Sequence, residues 1–348
     1  MWGRTIGEEN TYIVDTLIAI LCLAVSVIYS GILGDVFTPL LHSIGVPDFI
    51  NKRSTNIIAV TLFALLPLSL VKDLSALAFT SVLGSMAVAY TVVFIVFRSL
   101  DGTYAIGNVE GRFIKDHLIK LPSFEKSSMW KCNFSSLVLA SNLGLAYIAH
   151  YNGPVFYRYL KDHNSTRFRQ MVQAAFTILT LLYILIMCTG YATFGDVTEG
   201  NILLNYHPKD ILSTIARVAT GVSILFGFPL VFTGARESIL GAASAFGLSS
   251  WSHESNHVFV VLTILAGITY FSTTVQDVSV VVGLTGAILG SFIVYVCPVF
   301  IHIRSVALCK GTNSAEYKLA RYNLGLIPFG LIIGGLGAFM TLKEANLI

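Results

Sequence analysis

The stretch Phe134–Tyr157, FSSLVLASNLGLAYIAHYNGPVFY, carries no Asp, Glu, Lys or Arg and is long enough to cross a bilayer at about 1.5 Å per residue. It is not uniform. Asn142 and Gly144 interrupt its middle, and His150, Tyr151, Asn152, Gly153 and Pro154 crowd its second half. A plain anchor is filled with Leu, Ile and Val. Helix breakers at membrane depth are tolerated only where protein or a wet cavity receives the freed backbone groups. The segment therefore reads as an interrupted transmembrane helix that lines a solute pathway.

The rest of the chain supports a membrane setting. Of 348 residues, 55% are hydrophobic and only 12% charged, where a soluble protein carries about 25%. Mean hydropathy is +0.75. So few charges cannot cover a water-facing surface. A net charge of +3 indicates no nucleic-acid partner. Cys22, Cys132, Cys188, Cys297 and Cys309 are scattered without metal-ligand spacing, and no disulfide framework follows.

Nine apolar runs are expected to span. They are 12–33, 56–71 (with Pro67 inside), 74–97, the opening stretch, 171–194, 211–235, 257–276, 278–301 and 323–342. The expected fold is an all-α polytopic membrane protein with nine transmembrane helices. Basic residues concentrate after the fourth run (Arg158, Lys161, Arg167, Arg169) and after the eighth (Arg304, Lys310, Lys318, Arg321). Alternation puts both loops on one face, expected to be cytoplasmic. The long mixed-charge loop 98–133 then lies outside, against the tally, with Arg98, Arg112, Lys115, Lys120, Lys126 and Lys131.

Intramembrane polar residues are read first as functional. Asn142 and His150 suit contacts to a solute or coupling ion. Each alone reads equally well as a hydrogen bond to a neighbouring helix, worth about 0.6–2 kcal/mol. Their clustering with Gly144 and Gly153-Pro154 favours the solute. In GVSILFGFPLVF, Ser223 and Gly227 share a helical face ahead of Pro229. A hydroxyl and freed carbonyls are oxygen ligands that Na⁺ accepts, although Ser223 also suits a bond to its own helix beside a proline kink.

Arg217 is expected to snorkel to the outer interface. Asp35 and the pair Lys72-Asp73 are expected in the headgroup zone at span ends, with a proton relay as the alternative. Gly286/Gly290 and Gly330/Gly334 read as close helix packing. Asn133-Phe-Ser135 and Asn164-Ser-Thr166 match the glycosylation pattern, the second on the cytoplasmic side. No motif for hydrolytic or phosphoryl-transfer chemistry occurs, and no two carboxylates share an apolar run. An enzyme is not expected.

Six stretches carry a family resemblance: Ile28–Asp35, LPLSLVKDLSALAFTSVLG at 66–84, LAYIAHYNGPVFYRYLKD at 145–162, GYATFGDVTEGNIL at 190–203, FPLVFTGARE at 228–237 and VYVCPVFIHIR at 294–304. In this order they resemble the amino acid/auxin permease superfamily, and within it the sodium-coupled neutral amino acid transporters. The resemblance implies a leucine-transporter-type fold of eleven helices, the first ten in two inverted repeats. The first run here then looks like the third helix. Residues 12–97 would be the remainder of a first repeat, 98–133 an extracellular or lumenal loop, 134–304 the second repeat and 323–342 a final extra helix, all within one transporter domain.

The first two helices of that pattern have no counterpart, so a truncated product or short form is expected. With them go the family's other broken helix and its substrate contacts. What the resemblance carries over is a substrate lining of Ser141, Asn142, Gly144, His150 and Asn152, and an ion site near Ser223 and Gly227. Gly227-Phe228 stands where the family often has Thr or Ser before the proline, a departure that bears on sodium coupling.

The expected activity is secondary active transport of neutral amino acids by alternating access. It would be coupled to Na⁺ or H⁺, with no cofactor, in a plasma, vacuolar or lysosomal membrane. A zwitterion would bind near the midplane, met by half-helix dipoles and freed carbonyls. The alternatives are a non-transporting sensor or scaffold and, further off, a polytopic membrane enzyme.

Overall fold

A computed structural model describes residues 2–47, 49–71, 78–106, 112–113, 120–125, 134, 136–149, 153–162, 164–245, 247 and 256–347. His150, Tyr151 and Asn152 lie outside the described residues, as do Lys72, Asp73, Asn133 and Ser135. In the described residues every regular element is a helix, and Ser123 with Gly195 forms an isolated bridge.

In chain order the helices are α1 (Trp2–Ile6), α2 (Thr11–Ser43), α3 (Arg53–Leu70), α4 (Ala78–Leu100), α5 (Ser136–Ala146) and α6 (Gly153–Tyr159). They continue with α7 (Ser165–Phe194), α8 (Ile211–Ala245), α9 (His257–Thr274), α10 (Val278–Lys310), α11 (Ala315–Arg321) and α12 (Leu326–Glu344). Eight stretches are long and apolar enough to cross a membrane, α11 and α12 acting as one through the 3-10 turn Tyr322–Gly325. The remaining apolar run is the broken one, α5 and α6.

The helices outrun the apolar windows that announced them. α2 continues ten residues beyond Leu33, through Pro39. Asp35 is therefore not at the end of its helix. It is buried inside α2 and accepts from Arg53 Nε of α3 at 2.6 Å. Arg53 also donates to the carbonyls of Ser272 (3.1 Å) and Val275 (3.0 Å), so one guanidinium ties α2, α3 and the end of α9 together. Its charge is met by a partner from the start of the next helix. Asn56 Nδ2, bonded to Thr38 Oγ1 at 2.9 Å and Asn51 Oδ1 at 2.6 Å, holds the extension of α2 against α3.

Helix starts follow from capping side chains. Asn164 accepts from the Arg167 amide, Asp277 from Ser279 and Ser314 from Tyr317, opening α7, α10 and α11. The Asn164 sequon thus has a structural role as a helix cap. The interior is packed in three apolar clusters. Leu33, Leu65, Phe228, Phe232, Val261 and Leu265 join α2, α3, α8 and α9. Val36, Phe94, Phe194 and Tyr206 pack the end where the loops after α4 and α7 meet, and Leu21, Leu289 and Ile293 join α2 to α10.

Ends that alternation assigns to one face do meet. Ser123, from the loop after α4, bonds to Phe194 and Asp196 at the end of α7. Gly195 takes φ +60° there, and a Cβ on it would sit 2.1 Å from the Ser123 carbonyl oxygen, so only glycine fits. On the opposite face α1 packs on α10, and Arg236 approaches His257 between α8 and α9.

Candidate substrate pathway

The fourth apolar run is broken in its second half, whereas Asn142 and Gly144, expected to interrupt its middle, lie within continuous helix. Helix α5 ends at Ala146, Ile148 closes a tighter turn on Leu145, and helix resumes at Gly153. A break leaves helix-end carbonyls to be satisfied from outside. One of them has a partner: Tyr183 Oη on α7 donates to the Ala146 carbonyl at 3.2 Å. Beside it, Tyr147 Oη and Thr180 Oγ1 are 2.9 Å apart. The Thr180 proton goes to its own helix, at the Phe176 carbonyl 2.8 Å away, so Tyr147 is the donor to Thr180. The Tyr147 ring stacks on Phe176 and meets Tyr183 edge-on.

Three of the expected lining residues fall on α5, facing its neighbours. Ser141 is buried and donates to the Leu137 carbonyl at 2.8 Å. A Cβ on Gly286 of α10 would lie 1.9 Å from the Ser141 carbonyl oxygen, and one on Gly337 of α12 2.2 Å from its hydroxyl. Asn142 Oδ1 lies toward Gly283 of α10 and, among the described residues, accepts no hydrogen bond. Gly144 abuts the Gly286 carbonyl. Ser141, Asn142 and Gly144 thus sit in the seam with α10 and α12. His150 and Asn152 are outside the described residues.

Ser223 and Gly227 occupy a different seam. Ser223 faces Gly84 of α4, whose added Cβ would lie 3.0 Å from the Ser223 hydroxyl. Gly227 faces the Tyr29 ring of α2. The two remain one turn apart on α8, which runs through Pro229 without ending. Pro229 has no N–H, so the Leu225 carbonyl loses its usual partner and is an oxygen of the kind a cation takes.

A polar network lies at the end of the bundle where the loops after α4 and α7 meet. Asp210, wholly buried, accepts from Arg98 Nε (2.9 Å), Arg98 Nη2 (2.6 Å) and Tyr104 Oη (3.0 Å). Arg98 also pairs with Asp101. Burial and then the Asp210 charge push the Tyr104 phenol well above its usual range. Asp101 is held below the usual carboxylate range: burial opposes this, but hydrogen bonds from Thr103 and the Arg98 guanidinium outweigh it.

Arg217 corrects the snorkelling expectation. It is 2% exposed and donates to the carbonyls of Leu203 (2.8 Å) and Tyr206 (2.7 Å) in the turn leading into α8. The turn folds over the guanidinium, so it meets backbone rather than headgroups.

Sequence reasoning missed Tyr147, Thr180, Tyr183, the Arg98–Asp210 pair and the Arg53 clamp. A signal existed for two of them. Thr180 and Tyr183, three apart in TILTLLYILIM, form a polar stripe on one face of an apolar helix.

Together these features define a polytopic helical membrane protein with one apolar run broken into two short helices. The profile of the transmembrane amino acid transporter protein family matches residues 1–342, and the chain belongs to that family. It is 29% identical over 239 residues to vacuolar amino acid transporter 6 of Saccharomyces cerevisiae, covering 68% of this chain and 50% of that protein. It is 25% identical over 328 residues to vacuolar amino acid transporter 5 of Schizosaccharomyces pombe, covering 92% of this chain and 73% of that one. A Danio rerio protein named as a sodium-coupled neutral amino acid transporter is 24% identical over 334 residues, with 94% and 70% covered. The chain therefore spans half the length of the first of these relatives and somewhat over two thirds of the other two.

Proposed function

We propose that this chain moves neutral amino acids across a plasma, vacuolar or lysosomal membrane by alternating access, in symport with Na⁺ or H⁺. The observation that carries this reading is the interruption between Ala146 and Gly153 in a chain of the amino acid transporter family. An open backbone at bilayer depth needs a polar occupant or lining. The C-terminal end of α5 presents carbonyls at its negative dipole end, suited to an α-amino group. Ser141, Asn142, Gly144, His150 and Asn152 form the proposed lining, and Ser223 and Gly227 the proposed ion site beside the Leu225 carbonyl. The relatives' names, which describe transporters rather than enzymes, favour the same reading.

The test is uptake of labelled glutamine or alanine by the purified chain in liposomes, under a sodium gradient, a pH gradient or neither. Saturable uptake driven by one gradient is the expected outcome. A flat trace for every amino acid under every gradient contradicts it and favours a non-transporting sensor or scaffold.

A further inference from the structure

We infer that α7 sets the geometry of the break, with Tyr183 and Thr180 as positioning residues for the bound amino acid; this rests on the transport reading above. The two ends of the argument are a carbonyl and a side chain. The Ala146 carbonyl is the last of α5, and in an unbroken helix the amide four residues on would occupy it. Tyr183 Oη donates to it from α7, at 3.2 Å. The next side chain, Tyr147, is turned toward α7 by its donation to Thr180 and by its stack on Phe176.

Phe176, Thr180 and Tyr183 are spaced four and three apart, so one face of α7 meets both groups. Because its proton is committed to the Phe176 carbonyl, the Thr180 hydroxyl is the acceptor in this pair. The pairing has a fixed direction. A carbonyl bonded to α7 resists rebuilding the helix, and the Tyr147 side chain is held on the α7 side. Helix α7 thus has a lever on the site: any tilt of α7 moves the Ala146 carbonyl and the Tyr147 ring with it.

Tyr183→Phe removes one hydroxyl and nothing else. Thr180→Val removes the acceptor, and Thr180→Ser keeps it. In nanodiscs, hydrogen exchange across the peptide 147–153 is expected to change at least threefold in Tyr183→Phe and Thr180→Val and to match the parent in Thr180→Ser. In liposomes, the same two variants are expected to raise KM for the transported amino acid at least fivefold with Vmax within twofold, with Thr180→Ser restoring the parent value. Unchanged exchange in all three variants overturns the inference, whether or not the parent transports. Lost Vmax with unchanged KM overturns it too, because that would mark the tyrosine as a general support. A parent chain that takes up nothing, with exchange altered as expected, would fault the transport reading and leave the α7 lever standing.

Discussion

Arg217 carries its charge into the bundle, where its guanidinium donates to two backbone carbonyls. Replacing it with Leu would strand the Leu203 and Tyr206 carbonyls in a dry interior, where each unmet group costs about 1–3 kcal/mol. Arg217→Leu is therefore expected to lower the melting temperature in detergent by several degrees, and an unchanged melt would contradict this placement. Asp210→Asn is expected to cost about 1.5–3 kcal/mol, because it weakens the charge-assisted bonds of a half-buried Arg98 that keeps Asp101 as a partner. Asp101 adds a pH dependence. Its folded pKa lies below the unfolded one. Its stabilising share is thus complete above about pH 4, the unfolded value, and fades as pH falls through the folded one. The melting difference between the parent and Asp101→Asn should accordingly be full at pH 6 and shrink below pH 4; a difference constant across that range would refute the assignment. None of this network was legible in the sequence. Arg98 and Asp210 are distant in the chain, and a lone arginine two turns inside a span gives no sign that a turn will close over it.

Among elements, the break in the fourth span was readable because it is local: small and polar residues stand together where an anchor needs none. Helix lengths were misread for the opposite reason. Asp35 looked like a stop, but α2 runs on past it, with the carboxylate paired to Arg53 of the next helix. The Gly330/Gly334 pattern was read as close packing, and the structure shows how close. A Cβ on Gly334 would fall 2.3 Å from Ser291 Oγ and 2.6 Å from the Ala287 carbonyl, whereas on Gly335 it would meet nothing within 4 Å. Gly334→Ala is expected to destabilise the α10–α12 seam by about 1–3 kcal/mol and Gly335→Ala to change little. Equal melting of these two neighbours would contradict the packing of α12 on α10. The support of the break from α7 was half legible: its polar stripe was in plain view, but no pattern says which helix a stripe will face.

For the whole molecule, the pairing of loops fixes which ends share a face, and the basic loops assign the sides. In a background without native cysteines, Lys120→Cys and Asn313→Cys should be labelled by an impermeant thiol reagent from opposite sides of the membrane. Labelling of both from one side would overturn the arrangement of spans. The central claim is that the fourth span opens at bilayer depth to hold an amino acid, and Ala149, inside the break, is the position to ask. The measurement is the rate at which a small hydrophilic thiol reagent modifies Ala149→Cys in proteoliposomes, with and without saturating amino acid. The account predicts ready modification, slowed at least tenfold by a transported amino acid. No modification, or a rate indifferent to every amino acid, would contradict it.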